Sequence, residues 1–288
     1  MEINGYTRMA AVLAHPIKHS LSPFIHNLAF ELTNENAIYL AWDLEDEKIL
    51  EQTINNVRTL DMYGLNISMP YKQKAVEFID ELSEEAQLIG AVNTIVNQKG
   101  KLIGYNTDGQ GFFRALKFKP RHKKITLIGG GGAAISIIVQ AALLEMHEIT
   151  VFARHSASYA RLEQRLEKLS HQTKITIKLY DLADHSRLQK EIMTSDLLVN
   201  ATPVGMSGEA MPLPTSILLP PGILVVDTIY KVRETPMMKW AKSQGRTTMN
   251  GVGMLIHQAA ASFELWTGKK MPVEQIRQEL EEKDEVKC

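Results

Sequence analysis

Ile125-Thr-Leu-Ile128-Gly129-Gly-Gly-Gly-Ala-Ala134 decides the fold. A short apolar run meets a turn built almost entirely from glycine, and an apolar-rich helical pattern over Ala133–Met146 follows at once. Gly129, Gly131 and Ala134 satisfy the G-x-G-x-x-A spacing of a dinucleotide-binding turn. Residues without bulky side chains let the backbone turn tightly and approach a pyrophosphate. Its charge would meet the unpaired N–H groups at the start of the helix. A glycine run alone is weak evidence, because any tight strand-to-helix turn needs one; the strand before it and the helix after it supply the context.

Working outward, apolar strand patterns recur at Ile149–Ala153, Ile175–Tyr180, Leu197–Asn200 and Ile223–Asp227, with helical patterns at Ala157–Ser170 and Arg187–Met193 between them. Repeated β-α-β units predict a parallel, doubly wound sheet of the Rossmann type over 120–249. The end of the strand after the glycine turn selects the dinucleotide, since an Asp or Glu there binds the ribose hydroxyls of NAD. This chain has Ala153-Arg154-His155-Ser156 instead. Arg154 offers a planar cation to a 2′-phosphate with no carboxylate beside it, so the expected cofactor is NADP(H), with NAD as the alternative. The plain alternative for Arg154 is a solvated surface arginine. The candidate contacts here are Gly129, Gly130, Gly131, Gly132, Ala133, Ala134, Arg154 and His155.

The first 113 residues alternate in the same way, with strands expected at Ala10–Leu13, Ile38–Trp42, Gly64–Ser68 and Val92–Val96 and helices at Pro23–Leu32, Asp46–Leu60 and Tyr71–Leu82. Two strands around Gln98-Lys99-Gly100 read as a hairpin that brings Asn93 toward Asp108. Phe118–Lys124 reads as a linker. A long helix follows Asn250-Gly-Val-Gly, and another starts at Pro272. The expected organisation is an N-terminal α/β substrate domain, 1–113, completed by C-terminal helices 250–288, and a dinucleotide domain, 120–249. Hinges are expected near Thr107–Gly111 and Met249–Gly253, where glycine supplies backbone freedom.

Bulk properties narrow the class. Among 288 residues, 32 Lys and Arg balance 33 Asp and Glu for a net charge of -1, which leaves no broad positive field for nucleic acid. The apolar run near Met9–Leu13 is too short for a membrane span or signal-peptide core, so neither a membrane nor secretion is expected and the protein is placed in the cytoplasm. The single cysteine, Cys288, supports neither a disulfide nor a thiolate zinc site. His15, His19 and His26 lie close in sequence without carboxylate or thiolate partners, and no metal is expected.

Several stretches are more specific. They are Pro16-Ile-Lys-His-Ser20-Leu-Ser22-Pro23-Phe-Ile-His26-Asn27, Asn66-Ile-Ser68-Met-Pro70-Tyr-Lys72, Gly90-Ala-Val-Asn93-Thr and Gly104-Tyr-Asn-Thr107-Asp108-Gly. Asn200-Ala-Thr-Pro203-Val-Gly205-Met206, Asp227-Thr-Ile-Tyr230 and Gly251-Val-Gly-Met-Leu-Ile-His-Gln258 follow in order. Together they closely resemble the shikimate dehydrogenase family over nearly the whole chain. The resemblance implies reversible, NADP-linked reduction of 3-dehydroshikimate to shikimate, a step of aromatic amino acid (chorismate) biosynthesis. It also implies that Lys72 and Asp108 form the catalytic pair, that Ser20 and Ser22 bind the substrate carboxylate with Tyr230 nearby, and that Ser68, Asn93 and Gln258 bind hydroxyls. Thr202, Thr228 and Gly251 join the expected cofactor contacts.

The residues give this chemistry a physical basis. Lys72, expected in the first turn of a helix after Pro70, would feel the positive end of the macrodipole and exchange a proton more readily. Asp108 would accept hydrogen bonds from the same alcohol. Each residue also has a plainer reading: Asp108 and Ser22 as helix caps, Lys72 as a solvated helix-start residue.

Three positions depart from the usual family pattern. Ser68 stands where threonine is common, Met69-Pro-Tyr-Lys-Gln follows it, and Ala153 replaces an asparagine. Ala14-His-Pro-Ile-Lys-His-Ser and Ser68-Met-Pro-Tyr-Lys-Gln look like the branch that also oxidises quinate and often takes NAD, so quinate is a second candidate substrate. That branch commonly carries an aspartate where Ser156 stands, which keeps NADP ahead. A short-chain dehydrogenase would need Tyr followed four residues later by Lys, which none of the eight tyrosines provides. From a different class, a non-catalytic metabolite sensor could use the same fold. Monomer and homodimer fit equally.

Overall fold

The computed structural model describes residues 2–116 and 118–287; Cys288 lies outside the described residues. The chain divides into two compact units, Met1–Gly111 with Ile256–Cys288, and Phe112–Leu255.

The first unit opens with β1 (Arg8–Ala14), α1 (Ser22–Leu32), β2 (Ala37–Asp43), α2 (Leu50–Thr59) and β3 (Gly64–Ile67), and continues through β4 (Glu81–Leu82), α3 (Glu84–Ile89), β5 (Thr94–Gln98), β6 (Lys101–Tyr105) and α4 (Asp108–Ala115), which runs on into the second unit. Its sheet has the order β2-β1-β3-β5-β6-β4. β5 alone runs against its neighbours. Leu50, Ile54 and Val57 repeat at helical spacing on α2 and are fully buried with Leu13, Leu65 and Ile95; each contributes about 2 kcal/mol by leaving water.

The expected helix over Tyr71–Leu82 does not form. Residues 69–73 make a turn, Lys74–Phe78 is a short 3-10 segment, and Glu81–Leu82 is β4. The Lys72 carbonyl, which an α-helix would offer to residue 76, instead accepts the Val92 N–H at 2.8 Å. Tyr71 is buried, with its hydroxyl donating to the Leu44 carbonyl. The Met69–Pro70 peptide bond is cis, as is His15–Pro16. Lys72 therefore has no helix start beneath it, and the macrodipole argument for it falls.

The second unit carries β7 (Lys124–Ile128), α5 (Gly132–Leu143), β8 (Glu148–Ala153), α6 (Tyr159–Thr173), β9 (Thr176–Asp181), α7 (His185–Ile192), β10 (Leu197–Asn200), β11 (Leu224–Asp227), α8 (Pro236–Ser243) and β12 (Thr247–Met249). The six strands are all parallel in the order β12-β11-β10-β7-β8-β9. That is the doubly wound Rossmann order, with its switch point between β7 and β10. Ile125, Leu127 and Ile128 are buried, as a central strand covered on both faces requires. The chain closes with α9 (Val252–Thr267), which starts in the second unit and enters the first, and α10 (Val273–Lys287). No helix among the described residues is long and apolar enough to cross a membrane.

Candidate functional site

One edge of the first unit's sheet collects most of the candidate substrate residues. β1, β3 and β6 end there, and the reversed β5 begins there. Ser20 and Ser22 follow β1, Ser68 and Lys72 follow β3, Asn93 precedes β5, and Asp108 follows β6 as the first residue of α4. The carboxyl ends of strands, where the chain turns from a parallel sheet into loops, are where α/β proteins build sites.

Lys72 Nζ lies 2.6 Å from Asp108 Oδ2, with the side chains 27% and 14% exposed. Asn93 Nδ2 donates to the other carboxylate oxygen, Asp108 Oδ1, at 2.8 Å and to Thr107 Oγ1 at 2.9 Å. Its own oxygen accepts the Thr107 N–H and the Thr94 hydroxyl, both at 2.9 Å. Asn93 is 2% exposed, so its amide is a fixed, buried clamp that orients the carboxylate. A charged pair so placed can hold an alcohol between an N–H donor and an oxygen acceptor.

Behind this pair lies a buried polar layer. Asn66 Nδ2 donates to the Asn93 carbonyl, Thr94 Oγ1 and Ser262 Oγ, each at 3.1 Å. Asn66 Oδ1 accepts the Tyr39 hydroxyl at 2.6 Å. Burial pushes the Tyr39 phenol well above its ordinary value, with the Ser22 hydroxyl opposing. His26 stacks on Tyr39 at 4.3 Å, and burial pulls it down to about 3, so it is a neutral ring in the core. His15 instead pairs with Asp43 at 2.7 Å.

Gln258, on α9, is brought to the same place: its carbonyl accepts the Thr107 hydroxyl at 3.1 Å. Ser262 and Trp266 follow at four-residue intervals on the same helical face. Ser262 Oγ stands 2.7 Å from Thr94 Oγ1, and Trp266 Nε1 donates to the Ile95 carbonyl at 3.0 Å. Ser20 Oγ accepts the Ser22 N–H at 3.2 Å; both serines and Ser68 are half-buried. Tyr230 belongs to the second unit, and burial raises its phenol.

In the second unit, a cavity of about 530 Å³ is lined by Gly129, Gly130, Gly131, Arg154 and Thr202, among others. Gly129 sits at φ 110°, a conformation side chains rarely adopt. A Cβ there would stand 2.8 Å from Thr202 Cγ2, and one on Gly130 2.3 Å from Leu162 Cδ2. Gly131 and Gly132 face open space, and Gly131, at the N-cap of α5, makes no side-chain cap bond. The first N–H groups of α5 therefore stand at an open surface, the arrangement a pyrophosphate fits. Gly132, Ala133, His155, Thr228 and Gly251 are not part of the lining. Ala134 is fully buried. His155 is exposed, 3.9 Å from Asp181.

The loop bearing Thr202 is fixed by Asn200 and Asp227, which open two of the quoted motifs without a role assigned to either side chain. Asn200 Oδ1 accepts the Thr202 N–H at 3.0 Å and its hydroxyl at 2.7 Å. Asn200 Nδ2 donates to both oxygens of the fully buried Asp227 at 3.1 Å, which Thr235 Oγ1 also reaches at 2.8 Å. Gly251 packs on the Thr228 backbone so closely that a Cβ would lie 2.1 Å from the Thr228 carbonyl oxygen. Among the described residues no cluster of His, Cys, Asp and Glu is arranged to hold a metal ion.

Comparison with known proteins bears on both units. Residues 12–95 match the model of the shikimate dehydrogenase substrate binding domain, and residues 251–281 that of the shikimate 5'-dehydrogenase C-terminal domain. A shikimate dehydrogenase (NADP(+)) of Lactococcus lactis subsp. cremoris is 63% identical over 284 residues, covering 98% of this chain and 99% of the relative. The structure of shikimate 5-dehydrogenase from Listeria monocytogenes, in complex with shikimate and NAD, superposes with a TM-score of 0.93 at 41% identity, covering 97% of this chain and 98% of that one. The Thermus thermophilus enzyme in complex with NADP(H) and shikimate gives a TM-score of 0.80 at 32% identity, covering 94% and 98%. Likeness of this degree along almost the full length, with the Lys72–Asp108 pair and the glycine turn each on its own sheet, means that the chain belongs to the shikimate dehydrogenase family.

Proposed function

We propose that this protein is an NADP-linked shikimate dehydrogenase that interconverts 3-dehydroshikimate and shikimate, and that it works in the cytoplasm. The observation that carries the reading is the 2.6 Å Lys72–Asp108 pair with Asn93 fixed behind it, in a chain 63% identical to a shikimate dehydrogenase (NADP(+)). The open glycine turn and the cationic lining beside Arg154 fit a phosphorylated dinucleotide.

When bound, the cofactor supplies the hydride. The protein's part is to place the alcohol and move its proton. In the direction of reduction, the Lys72 ammonium donates a proton to the carbonyl oxygen as that oxygen gains charge, and Lys72 recovers one from solvent, to which it is partly open. Asp108 accepts from a hydroxyl on the neighbouring carbon and holds Lys72 in line. Ser20 and Ser22 take the ring carboxylate through their hydroxyls, with Tyr230 as a further neighbour. Ser68 and Gln258 take the remaining hydroxyls alongside the Asn93 amide. Thr202, Thr228 and Gly251 shape the cofactor's surroundings.

The test is turnover with shikimate or quinate and NADP or NAD, followed by absorbance of the reduced nicotinamide. Shikimate with NADP is expected to be the best pair, and Lys72→Met should lower kcat by about a hundredfold or more with little change in shikimate affinity. Unchanged turnover in Lys72→Met would refute the mechanism, and no turnover with any pair would favour a sensor.

A further inference from the structure

The polar layer behind the Lys72–Asp108 pair is a directed chain. The Tyr39 hydroxyl donates to Asn66 Oδ1 at 2.6 Å. Asn66 Nδ2 donates to Thr94 Oγ1 at 3.1 Å, and the Thr94 hydroxyl donates to Asn93 Oδ1 at 2.9 Å. Asn93 Nδ2 completes the run by donating to Asp108 Oδ1 at 2.8 Å. A hydroxyl has one proton to give, so Tyr39 and Thr94 have each committed theirs in the direction of Asp108. Bonds that run head to tail polarise one another and hold their members in a single arrangement. Tyr39, Asn66, Asn93 and Thr94 are all buried, so water does not compete for these bonds.

The head of the chain meets α1. The Ser22 hydroxyl faces the Tyr39 oxygen as a donor and works against the burial that raises the phenol. Helix α1 carries no side-chain cap bond, so Ser22, its first residue, is not the cap that its position suggests. Tyr39 is itself fixed from two sides. Asn27 Oδ1 accepts the Tyr39 N–H at 2.8 Å while Asn27 Nδ2 donates to the Tyr39 carbonyl at 2.9 Å, and His26 stacks on the ring at 4.3 Å. Packing alone asks only for that ring, which phenylalanine would supply. The hydroxyl serves what it joins: Ser22 on one side and the Asn66 amide on the other.

We propose that Tyr39 is a positioning residue: through its hydroxyl, the serine that seats the substrate's carboxylate and the amides that orient Asp108 are held at one fixed separation. The inference rests on the shikimate dehydrogenase reading above. A small ring fixes the spacing between its carboxylate and its reacting carbon, so the protein must match both ends at once. A misplacement of about 1 Å at the reacting end can cost about a hundredfold in rate.

The experiment is steady-state kinetics with shikimate and NADP on the full chain carrying Tyr39→Phe, Ser22→Ala or both. Tyr39→Phe should lower kcat about tenfold or more. The cofactor cavity belongs to the other unit, so titrated NADP affinity should stay within about twofold. In the Ser22→Ala background the same change should lower kcat by less than about threefold, because the serine that it aligns has lost its hydroxyl. The full loss in both backgrounds would mean that Tyr39 only satisfies Asn66 in the core, and no loss in either would mean that its hydroxyl positions nothing; each result overturns the proposal. Should Tyr39→Phe fail to fold, Ser22→Ala alone decides, since it leaves the Tyr39–Asn66 bond intact. A kcat lowered about tenfold or more beside the rise in KM supports the proposal, and a rise in KM alone overturns it. A wild type that does not turn over shikimate with NADP sinks the shikimate reading and this inference with it, whereas failure in the variants alone leaves that reading standing.

Discussion

Gly131→Ala separates what the glycine turn does for folding from what it does for a ligand. Its Cβ would meet nothing within 4 Å, and the backbone there is extended, at φ -78° and ψ -172°. The added methyl group restricts the unfolded chain, worth about 0.4–1 kcal/mol of stability. Alanine is a poorer N-cap than glycine by a similar amount. The two effects nearly cancel, so the thermal midpoint without ligand should stay within about 3 °C of the wild type. NADP affinity should not survive as well, because the methyl group stands where a pyrophosphate would approach the helix N–H groups. Losing one charge-assisted hydrogen bond costs about 2 kcal/mol, a factor of about thirty in Kd. Gly129→Ala provides the contrast. With φ at 110° and contacts of 2.8 Å and 3.1 Å to Thr202 and Ala201, it should cost about 2–4 kcal/mol of stability before any ligand is added. Thermal scans and NADP titrations on the two variants make the test. An unchanged midpoint together with an unchanged Kd in Gly131→Ala would refute the argument that this turn receives the cofactor.

Asn93→Ala should destabilise the protein by about 2–4 kcal/mol in urea unfolding, because the buried Thr107 N–H loses its acceptor and Asp108 loses a donor; kcat should fall more than KM rises. Glu148 feels burial, which raises its carboxyl, but hydrogen bonds from Lys124 and Lys178 and their charges outweigh it and the net shift is downward. A carboxyl lowered in the folded state stabilises above its unfolded value and loses that contribution as pH falls through the folded one. Glu148→Gln should therefore cost about 2 kcal/mol at pH 7 and converge with the wild type as pH falls through the lowered folded-state value. Asp227 shifts the other way: burial raises it, against bonds from Thr235, Asn200 and the Ile229 N–H. Its contribution is complete below the unfolded value and is lost as pH rises through the folded one, so Asp227→Asn, which does not titrate, should flatten the decline in urea stability above about pH 4.

The doubly wound sheet was legible because its signals are local: apolar runs at even intervals and a glycine turn between strand and helix. The surroundings of Lys72 were not. Pro70 with apolar residues after it reads as a helix start, and the competing bond comes from Val92, twenty residues away, whose N–H takes the Lys72 carbonyl. Helix α4 was hidden by Gly109 and Gly111, poor helix formers. Gly111 is tolerated there because a Cβ would lie 2.5 Å from the Gln258 backbone nitrogen, a contact no local pattern announces. Other elements left signals that went unread. Ser83 caps α3 and Gly90, at φ 62°, ends it; Thr235 caps α8 with a proline at its start. Ser262 and Trp266 were legible only as apolar helix, although their four-residue spacing from Gln258 marks the face that meets the sheet.

The reversal of β5 has an evolutionary consequence. Asn93 and Asp108 are the two ends of one hairpin, closed by Lys99 and Gly100, both at positive φ. The carboxylate and the amide that orients it thus travel together in a single contiguous stretch whose ladder brings them within reach of each other. Such a segment could be transplanted as a cassette, and the far bend could change its amino acids freely, provided that the pairing between the arms does not slip.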